Sequence, residues 1–428
     1  MINVVPRDLA IQLLTQVFND YTSLDSGFEQ VVSAHPTLDA QSRAWLRDVC
    51  SGVLRWRGRL EAAVDSTALK KKPSGWLRKA LLVASYQLIL QERVPAAVVV
   101  NETVSLVKSK EGELPAKFAN ACLRKIADSA SAWKSQAFPA KGSLLDQSRW
   151  ASVPEWFWQK LIAQRGVEWA ERFARASYDR PEIWIRAHSE EGAKLGEAGP
   201  VEGSYRLTQG GMISDQEGFS EGLFFVQDIS SQLLISEVTK RLRVAMPDFA
   251  RKPITVLDLC AAPGGKSMGL AWNSFHVTAT DQDANRLKLI SQNLARLADA
   301  IASAGGRIFV VDRAKVAPLP PQDLVWVDAP CSGSGIIRRH PDVRWLRQEK
   351  DFHALRSTQD ALLREAWEKT RPGGFLVYSV CSIFEDEGAG AVKRAGLSPY
   401  IQKDWLLSPD QPPYGDGFWA ALIEKPTA

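Results

Sequence analysis

The sequence predicts an α/β fold, in which a mostly parallel sheet with helices on both faces follows an all-α domain and a small α+β middle segment. Three observations predict it. Apolar residues recur at helical spacing through the first 130 residues. After about residue 226, short runs rich in Val, Ile, Phe or Thr alternate with helical segments. Four of those runs put an aspartate at or near their carboxyl end.

At 428 residues the chain is too long for one ordinary core, and two or three domains are expected. Residues 1–130 read as helical. In "RAWLRDVCSGVLRW", Trp45, Leu46, Val49, Val53 and Leu54 fall on one face, as do Leu77, Ala80, Leu81, Ala84 and Leu88 further on. A helical core explains both stripes. Residues 131–149 lose periodicity and read as a linker. Residues 150–225 form a small middle subdomain, with an amphipathic helix in "PEWFWQKLIAQRGVEWAERFARAS" and short strands in "EIWIRAH" and "GSYRLTQ".

Residues 226–428 carry the alternating pattern. Its apolar runs are "ITVLDLC", "HVTATD", "RIFVVD", "DLVWVD" and "GGFLVYSVCS", and helices such as "ANRLKLISQNLARL" and "FHALRSTQDALLREAWEKT" separate most of them. In such a sheet ligands gather at the carboxyl ends of the strands. Asp258, Asp281, Asp312 and Asp328 stand there. Any one of them alone reads equally well as a turn or helix-cap residue.

Composition excludes some classes. Hydrophobic residues at 45% and charged residues at 24% are those of a globular protein. The net charge of +4 names no partner. "LRWRGR" at 54–59, "KKK" at 70–72 and "IIRRHPDVRWLR" at 336–347 are local basic clusters, each a solvated face when taken alone. Fifteen tryptophans read first as packing residues. "MINVVPRDLA" shows no basic leader with an apolar run, and no stretch reaches the ~18 apolar residues of a membrane span. Cys50, Cys122, Cys260, Cys331 and Cys381 are odd in number and widely spaced, without CxxC pairs. That set suits a reducing cytoplasm, and neither a disulfide framework nor a metal is expected.

The first apolar run feeds "CAAPGGKS", where two ligand classes compete. Gly265, Lys266 and Ser267 match the end of a phosphate-binding loop, but Cys260 stands where its first glycine belongs. The later "LVWVD" imitates the metal-binding aspartate of such triphosphatases. Against this, Pro263 removes a backbone donor from a loop that must surround phosphates with N–H groups. Asp281 follows Asp258 by 23 residues, close to the spacing at which an acid takes ribose hydroxyls. No GxGxxG fingerprint is present. A compact adenosyl ligand without pyrophosphate, S-adenosylmethionine, fits best.

"VLDLCAAPGGKS", "VDAPCSGSGIIRRHPDVRWL" and "GGFLVYSVCSIFEDE" together resemble the motifs of the RNA 5-methylcytosine methyltransferase family. With "SGVLRWRGRLEAAV" and "FANACLRKI", the chain resembles the family's bacterial Sun/Fmu group, which acts on small-subunit rRNA. The resemblance implies a Rossmann-like methyltransferase domain behind a NusB-like RNA-binding domain. It covers nearly the whole chain and is densest over 226–384.

The chemistry explains the motifs. Carbon 5 of cytosine is too weak a nucleophile to take a methyl group from a sulfonium unaided, and a thiolate added at carbon 6 makes it enamine-like. A group at the far edge of the ring must stabilise the charge that develops. Cys331 and Cys381 both qualify as the attacking thiol, and the chemistry alone does not rank them. The alternative for either is a small buried hydrophobe.

By resemblance, Cys381 forms the covalent adduct, Cys331 helps to resolve it and Asp328 holds the cytosine edge. The resemblance also implies a cofactor loop of Cys260, Ala261, Ala262, Pro263, Gly264, Gly265 and Lys266. Asp281 then lies on the ribose, Asp312 near the adenine and Asp328 near the methionine end. Two positions depart from the family: Val380 replaces the usual Thr before the nucleophile, and Gly388 replaces the usual Asn. Arg338, Arg339, Arg344 and Arg347 are expected to meet RNA phosphates, with Arg55, Arg57 and Arg59 as further contacts. A monomer acting on rRNA is expected. The alternatives are a phosphate-loop triphosphatase and an RNA-binding protein whose methyltransferase domain is inert.

Overall fold

The computed structural model describes residues 6–427, apart from 68–71, 92, 188, 209, 212 and 248–251. Lys70 and Lys71 of the "KKK" run, and residues 1–5 of the N-terminal segment, therefore lie outside the described residues. The chain divides into two compact units: Met1–Asp179 with Ile337–Glu349, and Arg180–Ile336 with Lys350–Ala428.

The first unit is helical. Its helices Pro6–Asn19, Leu24–Ala34, Ala40–Thr67, Gly75–Leu90, Ala96–Glu111 and Glu113–Asp128 bury a common core that includes Leu14, Leu54, Leu81 and Leu123. Burying each such leucine stabilises the fold by about 1.5–3 kcal/mol. Gly52 is required by close approach, since a Cβ there would lie 2.0 Å from the Tyr86 ring.

This unit runs well past residue 130. The expected linker contains the helices Ala130–Lys134 and Leu144–Ala151, the second opened by a capping box between Ser143 and Asp146. Arg59 donates to the carbonyl of Trp133 at 2.7 Å, and Phe138 packs edge-on to Trp150. Helices of five and eight residues broken by "FPAKG" are too short to show a 3.6-residue period, so the pattern reads as irregular. The expected middle subdomain is divided. Its helices Glu155–Arg165 and Val167–Ala176 belong to the first unit, whose Tyr178 packs on Trp56 with ring centroids 4.3 Å apart, and its strands belong to the second.

The second unit holds two sheets. β1 (Trp184–Ala187), β2 (Gly196–Ala198), β3 (Ser204–Leu207) and β4 (Phe224–Val226) form an antiparallel sheet in the order β2-β3-β1-β4. The larger sheet comprises β5 (Thr255–Asp258), β6 (His276–Asp281), β7 (Arg307–Asp312), β8 (Gln322–Asp328), β9 (Thr370–Val380), β10 (Ile401–Leu407) and β11 (Phe418–Glu424), in the order β10-β11-β9-β8-β5-β6-β7. β5 through β9 are parallel, and β11 and β10 add antiparallel to β9.

All five expected strands of this sheet are present; all but the partly exposed edge strand β7 are buried enough to read as continuous apolar runs. The chain moves outward from β5 through β6 to β7, then returns to the other side of β5 at β8. That reversal opens a crevice at the carboxyl ends of β5 and β8. Among the described residues, no helix is long and apolar enough to cross a membrane.

Candidate active site

The β5–β8 crevice collects the chemistry. After Asp258 the backbone N–H of Leu259 reaches the carbonyl of Trp326 at 3.0 Å, and that of Ala261 the carbonyl of Thr280 at 2.9 Å, so the loop starts tied to both neighbouring strands. Gly264 has φ +104°, a conformation open to glycine, and Gly265 begins the helix Gly265–Ala271. Side chains from elsewhere hold the loop's carbonyls: Arg286 donates to Ala262 at 2.8 Å, Asn293 to Pro263 at 3.1 Å and Gln227 to Gly265 at 2.7 Å. None of these three stands at a spacing from the motif that would reveal it in sequence.

Asp258 is fully buried and accepts from the Ser267 hydroxyl at 2.6 Å. Burial, opposed by that hydroxyl and helped by Asp328, pushes its carboxyl up to about 7. Asp281 is also buried, and its Oδ1 accepts from the backbone of Asp283 at 3.1 Å. Oδ1 of Asp258 and Oδ2 of Asp281 are buried acceptors without a close hydrogen bond, although Arg286 pairs with Asp281 Oδ2 at 3.4 Å. Buried acceptors of this kind beside a glycine-opened loop suit a ligand bearing hydroxyl and amino donors, as an adenosyl amino acid does. Asp312, beside Asp281 in register, is exposed and accepts from the backbone of Ala314 at 2.9 Å as a cap.

Lys266 turns toward β8, where its Nζ donates to Asp328 Oδ2 at 2.6 Å and sits 4.9 Å from the centroid of the Phe418 ring. Burial disfavours its charge, but Asp328, Cys381 and Asp258 outweigh burial and hold the ammonium above its ordinary pKa. The Ser379 hydroxyl donates to Asp328 Oδ1 at 3.0 Å. The carboxylate is thus fixed on both oxygens while about a third of the side chain stays exposed.

The two thiols meet at the same edge. Cys331, past the end of β8, and Cys381, one residue past β9, have sulfurs 3.3 Å apart. Cys331 is buried and Cys381 half-buried. The hydrogen bond with Cys381, then burial and the nearby Glu387, raise the Cys331 thiol well above its ordinary pKa. The turn after Cys331 is threaded tightly: the N–H of Gly335 reaches the carbonyl of Cys381 at 3.0 Å, and a Cβ on Gly335 would lie 1.9 Å from the Gly417 carbonyl. Cys260 is a different case. Its thiol is pushed up to about 12 by burial, helped by Asp258.

The family departures have local causes. Val380 is fully buried in the apolar cluster that holds Tyr378 and Cys331. A Cβ on Gly388 would meet the Trp419 ring at 2.8 Å, so an Asn does not fit there without displacing the indole.

The expected phosphate contacts are corrected in part. Arg344 is fully buried in the first unit, where it donates to the carbonyls of Ile337, Ser152 and Arg55 at 2.9, 3.1 and 3.2 Å. Arg338, Arg55 and Arg59 are likewise buried. These guanidiniums serve the fold, because the segment Ile337–Glu349 packs with the helices instead of running along the α/β unit. Arg347 is exposed, and Arg339 is half-buried. Among the described residues, no group of three or more His, Cys, Asp or Glu could hold a metal ion.

Comparison with known proteins agrees with this arrangement. Residues 250–401 match a family described as 16S rRNA methyltransferase RsmB/F, and residues 5–128 match the NusB family. Ribosomal RNA small subunit methyltransferase B of Cronobacter sakazakii is 31% identical, over 98% of this chain and 98% of its own. Among solved structures, PH0851 aligns over 99% of this chain and 100% of its own with a TM-score of 0.68 at 22% identity. NSun6 from Pyrococcus horikoshii, solved with SFG, covers 63% of this chain and 97% of its own with a TM-score of 0.51 at 19% identity. At those identities the structures speak for the fold. The match to a methyltransferase family removes the triphosphatase alternative.

Proposed function

Because the chain belongs to the ribosomal RNA small subunit methyltransferase B family, and is an S-adenosylmethionine-dependent methyltransferase, we propose that it methylates carbon 5 of a cytosine in small-subunit rRNA through a transient bond to Cys381. One observation carries this reading: two thiols 3.3 Å apart share a sheet edge with an Asp328 carboxylate held by Lys266 at 2.6 Å. A methyl transfer to oxygen or nitrogen has no use for the pair of thiols.

In this reading the Cys381 thiolate adds to carbon 6 of the ring, the 5,6 double bond opens, and electron density collects on carbon 5 and the ring's nitrogen edge. Asp328 accepts a hydrogen bond from the amino group on that edge and so fixes the ring, while the Lys266 ammonium orients the carboxylate and offsets the negative charge that develops. S-adenosylmethionine, held by the loop 260–266 and Asp281, supplies the electrophilic methyl group. Loss of the carbon 5 proton to a base then restores the double bond and expels the Cys381 thiolate. Cys331 is suited to assist this last step, since its thiol stays protonated beside the sulfur that must leave and can donate a hydrogen bond to the departing thiolate. The half-buried Cys381 is the more accessible attacker.

A cytosine in a duplex hides its carbon 6 face in the stack, so the substrate nucleotide is unpaired or flipped. Arg347 and Arg339 remain candidates for phosphate contact. The test is incubation with methyl-labelled S-adenosylmethionine and small-subunit rRNA, followed by nuclease digestion. Label in 5-methylcytidine is expected. Label in another nucleoside, or binding of S-adenosylhomocysteine without any transfer, overturns the reading, the second in favour of an inert domain.

A further inference from the structure

Glu387 is fully buried, five residues beyond Ser382 in sequence, and apart from its effect on the Cys331 thiol it has no part in the reaction described above. Its two oxygens take four hydrogen bonds. Oε1 accepts from the backbone N–H of Ser332 at 2.8 Å and from Gln359 Nε2 at 3.3 Å. Oε2 accepts from the hydroxyls of Ser332 at 2.5 Å and Ser382 at 2.6 Å. Those two serines directly follow Cys331 and Cys381.

The carboxyl group is itself held in place. Tyr378 donates to the Glu387 carbonyl at 2.8 Å, Gln359 also donates to the Pro330 carbonyl at 3.0 Å, and the turn at Gly388 is pressed against the Trp419 ring. A second hydroxyl bridge, Ser334 to Ser382 at 2.9 Å, runs alongside. A buried carboxyl group requires donors, and here all four come from the two cysteine turns and the helix behind them.

We propose that Glu387 is a positioning residue: it clamps the Cys331 and Cys381 turns together through Ser332 and Ser382 and so fixes the distance between the two sulfurs. The link to catalysis rests on the two-thiol reading given above, while the clamp itself does not. Sub-ångström placement of reacting groups is what such a clamp supplies, and its loss costs rate more than binding.

The donor set distinguishes a clamp from a charge effect. Both donors on Oε1 are obligate N–H groups, whereas the two hydroxyls on Oε2 can turn and accept instead. A glutamine therefore keeps the scaffold and removes the charge, while an alanine removes both.

The experiment reads sulfur geometry directly, in the full chain. Diamide oxidises paired thiols to a disulfide, its azo bond taking up the two protons and two electrons, and peptide mass spectrometry quantifies the Cys331–Cys381 link. Glu387→Ala is expected to slow this disulfide roughly tenfold to a hundredfold and to lower kcat for methyl transfer comparably, with S-adenosylhomocysteine affinity retained. Glu387→Gln is expected to recover most of both losses.

An alanine variant that forms the disulfide within about twofold of the wild-type rate overturns the clamp, and a glutamine variant as impaired as alanine overturns it in favour of the charge. Should Glu387→Ala fail to bind S-adenosylhomocysteine, the doubly substituted Ser332→Ala, Ser382→Ala protein takes its place under the same criterion. Disulfide formation that depends on Glu387 in a protein that never methylates RNA supports the clamp and removes the reaction reading instead.

Discussion

Cys331 Sγ lies 3.3 Å from Cys381 Sγ, past the ends of the neighbouring parallel strands β8 and β9. The hydrogen bond from one sulfur to the other, together with burial, holds the Cys331 thiol above its ordinary pKa. The raised Cys331 thiol is the one that keeps its proton. Cys381→Ala is therefore expected to lose turnover by roughly a hundredfold or more and to form no RNA adduct. Cys331→Ala is expected to attack and stall, accumulating a species that migrates slowly on denaturing gels and needs both RNA and cofactor. An adduct that survives Cys381→Ala and disappears in Cys331→Ala reverses the roles.

Lys266 and Asp328 make a second testable pair. The ammonium is bonded to the carboxylate at 2.6 Å and held above its ordinary pKa despite burial. Lys266→Met leaves Asp328 fixed by Ser379 alone, on Oδ1. We expect methyl transfer under single-turnover conditions to fall by roughly 10²–10³, the scale of losing one preorganised electrostatic partner. Affinity for S-adenosylhomocysteine, measured by titration calorimetry, should fall far less. An equal fall in both would place the lysine's role in cofactor binding.

Asp258 gives a prediction in pH. Its folded-state pKa of about 7 lies above the unfolded carboxylate value, so the native state retains a proton that the unfolded chain releases. Its contribution to stability is full below pH ~4 and is lost as pH rises through about 7, a loss of at most ~4 kcal/mol by linkage. Asp258→Asn removes that titration. Between pH 5 and pH 8 the wild type should lose stability relative to the asparagine variant, read from urea midpoints with no cofactor added. Parallel behaviour of the two proteins across that range would contradict the buried, proton-retaining carboxyl.

Strand-forming runs and strand-end acids were readable because a parallel sheet needs continuous apolar residues and a doubly wound sheet places its site at one edge. Asp258, Asp281 and Asp328 accordingly stand where the sequence predicts, with Lys266 between the first and the last. Gln227, Arg286 and Asn293 were not readable, since each reaches the loop 260–266 across 24 or more residues and no local pattern marks it. Glu387 was visible only as part of an acidic run. Its burial, like that of Arg344, is a tertiary fact, and a charged residue in a polar stretch reads by default as exposed.

Arg344 shows what that default misses, and it yields the last prediction. Its guanidinium is buried, its pKa drawn down by burial to about 9, and it spends its donors on three backbone carbonyls within the helical unit. Beside it Trp345 donates to the Leu54 carbonyl at 2.8 Å, and Asp342 accepts from the backbone of Leu24 at 2.9 Å, so the whole segment is bonded into that unit. Arg344→Ala deprives the Ser152 and Ile337 carbonyls, which lie outside helices, of this donor, each at a cost of about 1–3 kcal/mol. The variant should therefore unfold at markedly lower urea concentration. Arg347→Ala, by contrast, changes an exposed side chain, and under the proposed RNA contact its effect is expected in RNA affinity and in the slope of that affinity with salt. If Arg344→Ala kept wild-type stability while flattening the salt dependence of rRNA binding, the arginine would be a phosphate contact after all, and its burial would have to be relieved when RNA binds.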